Sequence, residues 1–213
     1  MKKLFLLSIA GFVCLSTYAQ LDKTKLSLEV SKTNDHNIKL LSSYTWKRTI
    51  EGFSEGNQVV SILSSVTMGP DGKPVNQIIE KSGAGQKKPS KKQAEAAEYI
   101  KNAVELIGKY VFMSTGQMVD LFNKGTLSLL NDNLNAEAFN FITKGDHLKY
   151  SFDKTSLQYK GQEISTMLNG EPVKATVTFK FVDDVNTVDK VVLDLPAKKI
   201  KVNMTNTDFA KKL

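Results

Sequence analysis

Functional side chains are scarce in this chain. Its 213 residues include one cysteine, two histidines, one tryptophan and five prolines. The cysteine, Cys14, falls inside the apolar run Leu4–Leu15. That run follows Lys2 and Lys3 and precedes Thr17-Tyr18-Ala19, the layout of a secretory signal cleaved after Ala19. The run is shorter than the roughly 20 residues of a spanning helix, and no second run approaches that length. Val13, directly before Cys14, is wrong for lipid attachment. The expected mature protein, residues 20–213, is therefore an exported, periplasmic, soluble domain with no lipid anchor. It has no thiol, which excludes disulfides, cysteine-ligated zinc and a cysteine nucleophile. Its stability must come from its core.

Arginine is also nearly absent. Arg48 is the single one, and the other basic residues are lysines. Nucleic-acid and bidentate phosphate sites favour arginine, so no nucleic-acid partner is expected. The formal charge of +7 falls to +5 without Lys2 and Lys3. That surplus allows weak, salt-sensitive association with an anionic membrane surface.

His36 and His147 lack neighbours at ligand spacing, no Gly-x-Ser-x-Gly elbow is present, and no metal, cofactor or catalytic residue is assigned. The glycines and lysines of 83–92 read as a linker, because their spacing does not fit a phosphate loop. Asp183, Asp184, Asn186 and Asp189 match no calcium loop and read as a turn. The chain is not expected to be an enzyme.

What is present is alternation. Tyr44, Trp46, Arg48 and Ile50 share one face of a strand over 44–52. Strands over 58–68 and 75–81 flank the turn Gly69–Lys73 and complete a meander. A weak helix is expected at 34–43. Ala97, Ile100, Val104, Ile107 and Val111 mark an amphipathic helix over about 91–112. Ser114 and Gln117 form a capping box opening a second helix, with Met118, Leu121 and Phe122 inward. Residues 131–135 read as a polar loop and 139–143 as a strand. More strands follow: 147–152, 157–168 with a bulge at Gly161, 173–181 after the hairpin signal Asn169-Gly170, 188–195 and 199–205. The order predicts an α+β fold: a curved antiparallel sheet, an incomplete barrel, with two central helices covering its concave face.

Tyr44, Trp46, Arg48, Met118 and Phe122 are the candidate ligand-binding residues. Arg48 on a covered face needs a carboxylate or several carbonyls. It is either a structural fixture or a group that orients a ligand head group or holds a helical lid. Met68, Met118, Met167 and Met204 are candidates for an adaptable apolar lining.

Leu41–Arg48, Met68–Lys73 and Leu193–Lys199, with the lysine-rich linker and the central helices, resemble a group of uncharacterised exported bacterial proteins over about 40–210. The Tyr-Ala-Gln cleavage region is similar to signals of Bacteroidetes. The strand–helix–strand layout resembles the periplasmic lipoprotein-carrier (Lol-type) half-barrel, whose apolar cavity shelters acyl chains under helical lids. That resemblance implies architecture and carries over no site residue. Two functions remain open: a binding protein holding a lipid-like or apolar ligand between sheet and helices, or a non-enzymatic interaction or envelope-scaffold module with a packed core and an unknown protein partner. An apolar cavity of roughly 300 Å³ or more favours the first.

Overall fold

The computed structural model describes residues 22–82 and 90–212. The expected signal with Cys14, and residues 83–89 of the expected linker, lie outside the described residues. The elements are α1 (Lys23–Leu41), β1 (Tyr44–Ser54), β2 (Asn57–Met68), β3 (Pro74–Ser82), α2 (Lys91–Val111), α3 (Thr115–Lys124), β4 (Thr126–Leu130), β5 (Asn133–Phe139), β6 (His147–Asp153), β7 (Tyr159–Leu168), β8 (Glu171–Val182), β9 (Val185–Leu195) and β10 (Ile200–Lys211). The strands form one antiparallel sheet in the order β3-β2-β1-β10-β9-β8-β7-β6-β5-β4. Among the described residues the sheet does not close, and β3 and β4 are its edge strands.

One sheet face is covered. Leu148, Tyr150 and Phe152 of β6 and Val173, Ala175 and Val177 of β8 point into the main core. Their sequence neighbours face outward, as a period of two requires. Both residues of the Asn169-Gly170 turn have positive φ, the conformation that a tight two-residue hairpin needs. Near Gly161 the register shifts between Ser151 and Phe152, which pair with Gly161 and Tyr159 and leave Lys160 as the extra residue.

The central helices begin as their sequence directs. Ser90 with Gln93 opens α2, and Ser114 with Gln117 opens α3, each as a reciprocal capping box. α2 crosses the sheet. Its Ile100 sits against Gly52 of β1, where an added Cβ would lie 2.6 Å from Ile100 Cδ1. Ten residues on, the Tyr110 hydroxyl meets Thr166 Oγ1 of β7 at 2.9 Å. β1 and β7 stand four places apart in the sheet order, about 19 Å at roughly 4.8 Å per strand. Ten helical residues rise about 15 Å, so the helix spans these strands lengthwise.

Three expectations need correction. The weak helix at 34–43 is the end of a much longer one, α1, capped by Asp22. Its inward stripe carries Ser27, Val30, Ser31, Asn37 and Leu41. Buried serines let α1 pack closely on α3, and they conceal the helical period from a search for apolar residues. All three expected helices are therefore present, and only the extent of the first differs. The polar segment 131–135 is a hairpin turn with the start of β5, and Asn131 supplies the positive φ. Residues 140–146 form a loop rather than a strand. Its amides at Phe141, Ile142 and Thr143 donate to the buried Asp146 carboxylate at 2.6, 2.8 and 2.9 Å.

A smaller cluster lies apart from the main core: Leu41, Tyr44, Trp46, Val66, Met68 and Val185. No helix among the described residues is long and apolar enough to cross a membrane.

Candidate ligand-binding cleft

Of three clefts between helices and sheet among the described residues, one of about 580 Å³ lies at the start of α2 and the other two adjoin each other. The first of this adjoining pair has a volume of about 340 Å³. One wall is the C-terminal half of α2, through Val104, Ile107 and Val111, continued by Phe112. The floor comes from Val188, Val191 and Leu193 of β9 and Met204 of β10. The polar end is formed by Arg48 of β1 with Lys73, Pro74 and Asn76 at the start of β3. Gly108 of α2, with Glu105 and Lys109, both exposed on the same helix, completes the lining. The second cleft, about 540 Å³, lies between the end of α1, the Gly69–Lys73 turn and the α2–α3 junction. It is more polar, with Asn34, Asp35, Asn37 and Asn186 in its wall. The two share Lys73, Lys109, Val111, Phe112 and Val188. Each volume falls within the roughly 300–1,000 Å³ of small-molecule sites.

Arg48 is 6% exposed. Its Nε donates to Asn206 Oδ1 at 2.9 Å and its Nη1 to Asn76 Oδ1 at 3.2 Å. Asn206 is the residue opposite Arg48 in the β1–β10 ladder. Its Oδ1 also accepts from Trp46 Nε1 at 3.2 Å, and its Nδ2 donates to the Val188 carbonyl at 2.9 Å. Burial pulls the Arg48 pKa down to about 10, so the guanidinium stays charged at neutral pH. Its two bonds hold the guanidinium plane in place without neutralising it.

The other sequence candidates stand elsewhere. Tyr44 donates to Asp183 Oδ2 at 2.7 Å, and that bond raises the phenol pKa and lowers that of the carboxyl. Trp46 stacks on Phe209 with centroids 5.6 Å apart. Tyr44 and Trp46 thus continue the Arg48 row into the smaller cluster, and neither lines a cleft. Met118 and Phe122 are fully enclosed in the main core beneath α3, with Phe122 5.5 Å from Phe152. Of the five, Arg48 alone borders a cleft. Met68 and Met204 also line one each, whereas Met167 is exposed. Asp183 and Asp184 form the β8–β9 turn. Asn186, just beyond them, is buried with its Oδ1 unpartnered in the second cleft.

Asn206 and Asn76 escaped the sequence reading. For Asn206 a signal existed: Ile200, Val202 and Met204 set an inward row that Asn206 continues, so period two marks it as a buried polar residue. Asn76 sits on an edge strand rich in outward residues and gave none.

No family model and no curated protein matches the chain. Among solved structures, it is similar to a DUF1329 family protein from Desulfovibrio piger at 9% identity, with a TM-score of 0.48 and 90% of this chain and 94% of that one covered. It is also similar to a LolA superfamily protein from Nitrosomonas europaea at 8% identity, with a TM-score of 0.40 and 88% and 94% covered.

Proposed function

We propose that this protein is a non-catalytic binding protein that holds an apolar or lipid-like ligand in the cleft between α2 and the sheet. The observation that carries the reading is the wall itself. Val104, Ile107, Val111, Val191, Leu193 and Met204 face a solvent-open cleft of about 340 Å³, a size within the range of small-molecule sites. In this reading residues 1–19 export the chain, and its working place is the periplasm, where it is soluble, with at most weak electrostatic contact to anionic membrane surfaces.

The interaction-module reading has its own observation. β3 is an edge strand on which Val75, Ile78 and Ile79 are exposed, and open apolar edges invite strand pairing. Native mass spectrometry of protein purified from its own cells separates the two. The binding reading predicts a stoichiometric small-molecule adduct that solvent extraction removes. A bare chain that also takes up no added apolar probe leaves only the interaction reading.

A further inference from the structure

We infer that the ligand is an amphiphile with a compact oxyanion head, a carboxylate or phosphate, seated on Arg48 with its tail along α2. The inference rests on the apolar-ligand reading and adds the chemistry of the head group. Among the described residues no ion pair includes Arg48, Lys73 or Lys109. A guanidinium has five N–H donors, and two carboxamide oxygens use only two of them. A buried cation without a counter-charge is costly, and at a purely structural position an apolar residue of similar volume would serve better. Arg48 lines the cleft, where a planar or tetrahedral oxyanion can take two of a guanidinium's donors at once. Lys73 and Lys109 stand at the rim and add attraction at longer range. Glu105 is the single carboxylate in the lining, and it is exposed. The apolar length of the cleft separates this site from one for a free anion. At about 30 Å³ for each water-sized group, the space takes roughly ten methylenes.

Dodecanoate, dodecanol and acetate test the inference, with binding followed by calorimetry and by the fluorescence of Trp46, the sole tryptophan. Trp46 shares Asn206 Oδ1 with Arg48, so its emission responds to an occupant of the guanidinium. Dodecanoate is expected to bind at least tenfold more tightly than dodecanol, and acetate not to bind measurably at millimolar concentration. Asn76→Asp keeps an acceptor at Arg48 Nη1 while giving it an internal carboxylate, and should bring the dodecanoate-to-dodecanol ratio close to one. Equal affinities in the wild-type protein, or a ratio unmoved by Asn76→Asp, would overturn the head-group assignment and leave the apolar reading standing. Acetate binding as tightly as dodecanoate would overturn the amphiphile. Failure of both dodecyl probes would overturn the apolar-ligand reading itself.

Discussion

Asp146→Ala is expected to destabilise the protein by about 4 kcal/mol, which for a chain of this size lowers the melting temperature by roughly 12 °C. Asp146 is 2% exposed. Besides the three loop amides it accepts from the Tyr110 hydroxyl at 3.3 Å. Tyr110 is itself fully buried, and its hydroxyl lies 2.9 Å from Thr166 Oγ1 and 3.1 Å from Thr143 Oγ1. The carboxylate thus ties the 140–146 loop to α2, and the Tyr110 hydroxyl ties α2 to β7. Removing the carboxylate leaves three part-buried amides and the buried Tyr110 hydroxyl without this acceptor, and each buried donor left unpaired carries a desolvation cost. Asp146→Asn keeps an acceptor and should lose about half as much. Differential scanning calorimetry of both variants measures the effect. A loss below about 1 kcal/mol for the alanine variant would mean that water replaces the carboxylate.

Asn206→Ala comes next in size, at about 3 kcal/mol. The substitution removes the shared acceptor of Trp46 and Arg48 and the donor to the Val188 carbonyl. It leaves a buried guanidinium held only by Asn76, and a buried charge stripped of a partner costs more than a lost neutral bond. Two readouts follow. Urea unfolding should show the lower midpoint. Trp46 emission in the folded variant should shift as its indole N–H loses its acceptor. An unchanged spectrum with unchanged stability would contradict the Asn206-centred account of this end of the sheet.

The sequence revealed those elements whose inward rows are apolar. β8 is plain because Val173, Ala175 and Val177 alternate with Lys174, Thr176 and Thr178. α2 and α3 are plain because a capping box opens each and an apolar stripe follows. α1 was cut short for the opposite reason: Ser27, Ser31 and Asn37 occupy its buried face. Asn37 bonds the Gln158 side chain and accepts from the Asn186 amide at 3.3 Å, contacts that sequence spacing cannot foresee. β4 is concealed because an edge strand buries little, with Leu129 and Leu130 exposed, and the start of β5 because asparagines bracket the turn.

The site was legible in one residue. Period two placed Arg48 on a covered face, and the scarcity of arginine made it conspicuous. The cleft beside it gathers β1, β3, β9, β10 and α2, elements spread over most of the chain, so its walls follow from topology rather than from any local pattern. Met118 and Phe122 carried the same apolar signature as lining residues would, and only packing distinguishes an enclosed side chain from one at a cavity wall.

Gly108 offers the most direct test of the central claim. It lines the first cleft on α2, and an added Cβ there meets nothing within 4 Å. Replacing a helical glycine also favours the helix, by up to about 0.5 kcal/mol for tryptophan, a mid-ranked helix former. Gly108→Trp should therefore fill the cleft without lowering the melting temperature. Dodecanol affinity, measured by calorimetry on this variant and on the wild-type protein, should fall at least tenfold in the variant. Wild-type affinity in a folded Gly108→Trp protein would contradict a ligand site between α2 and the sheet.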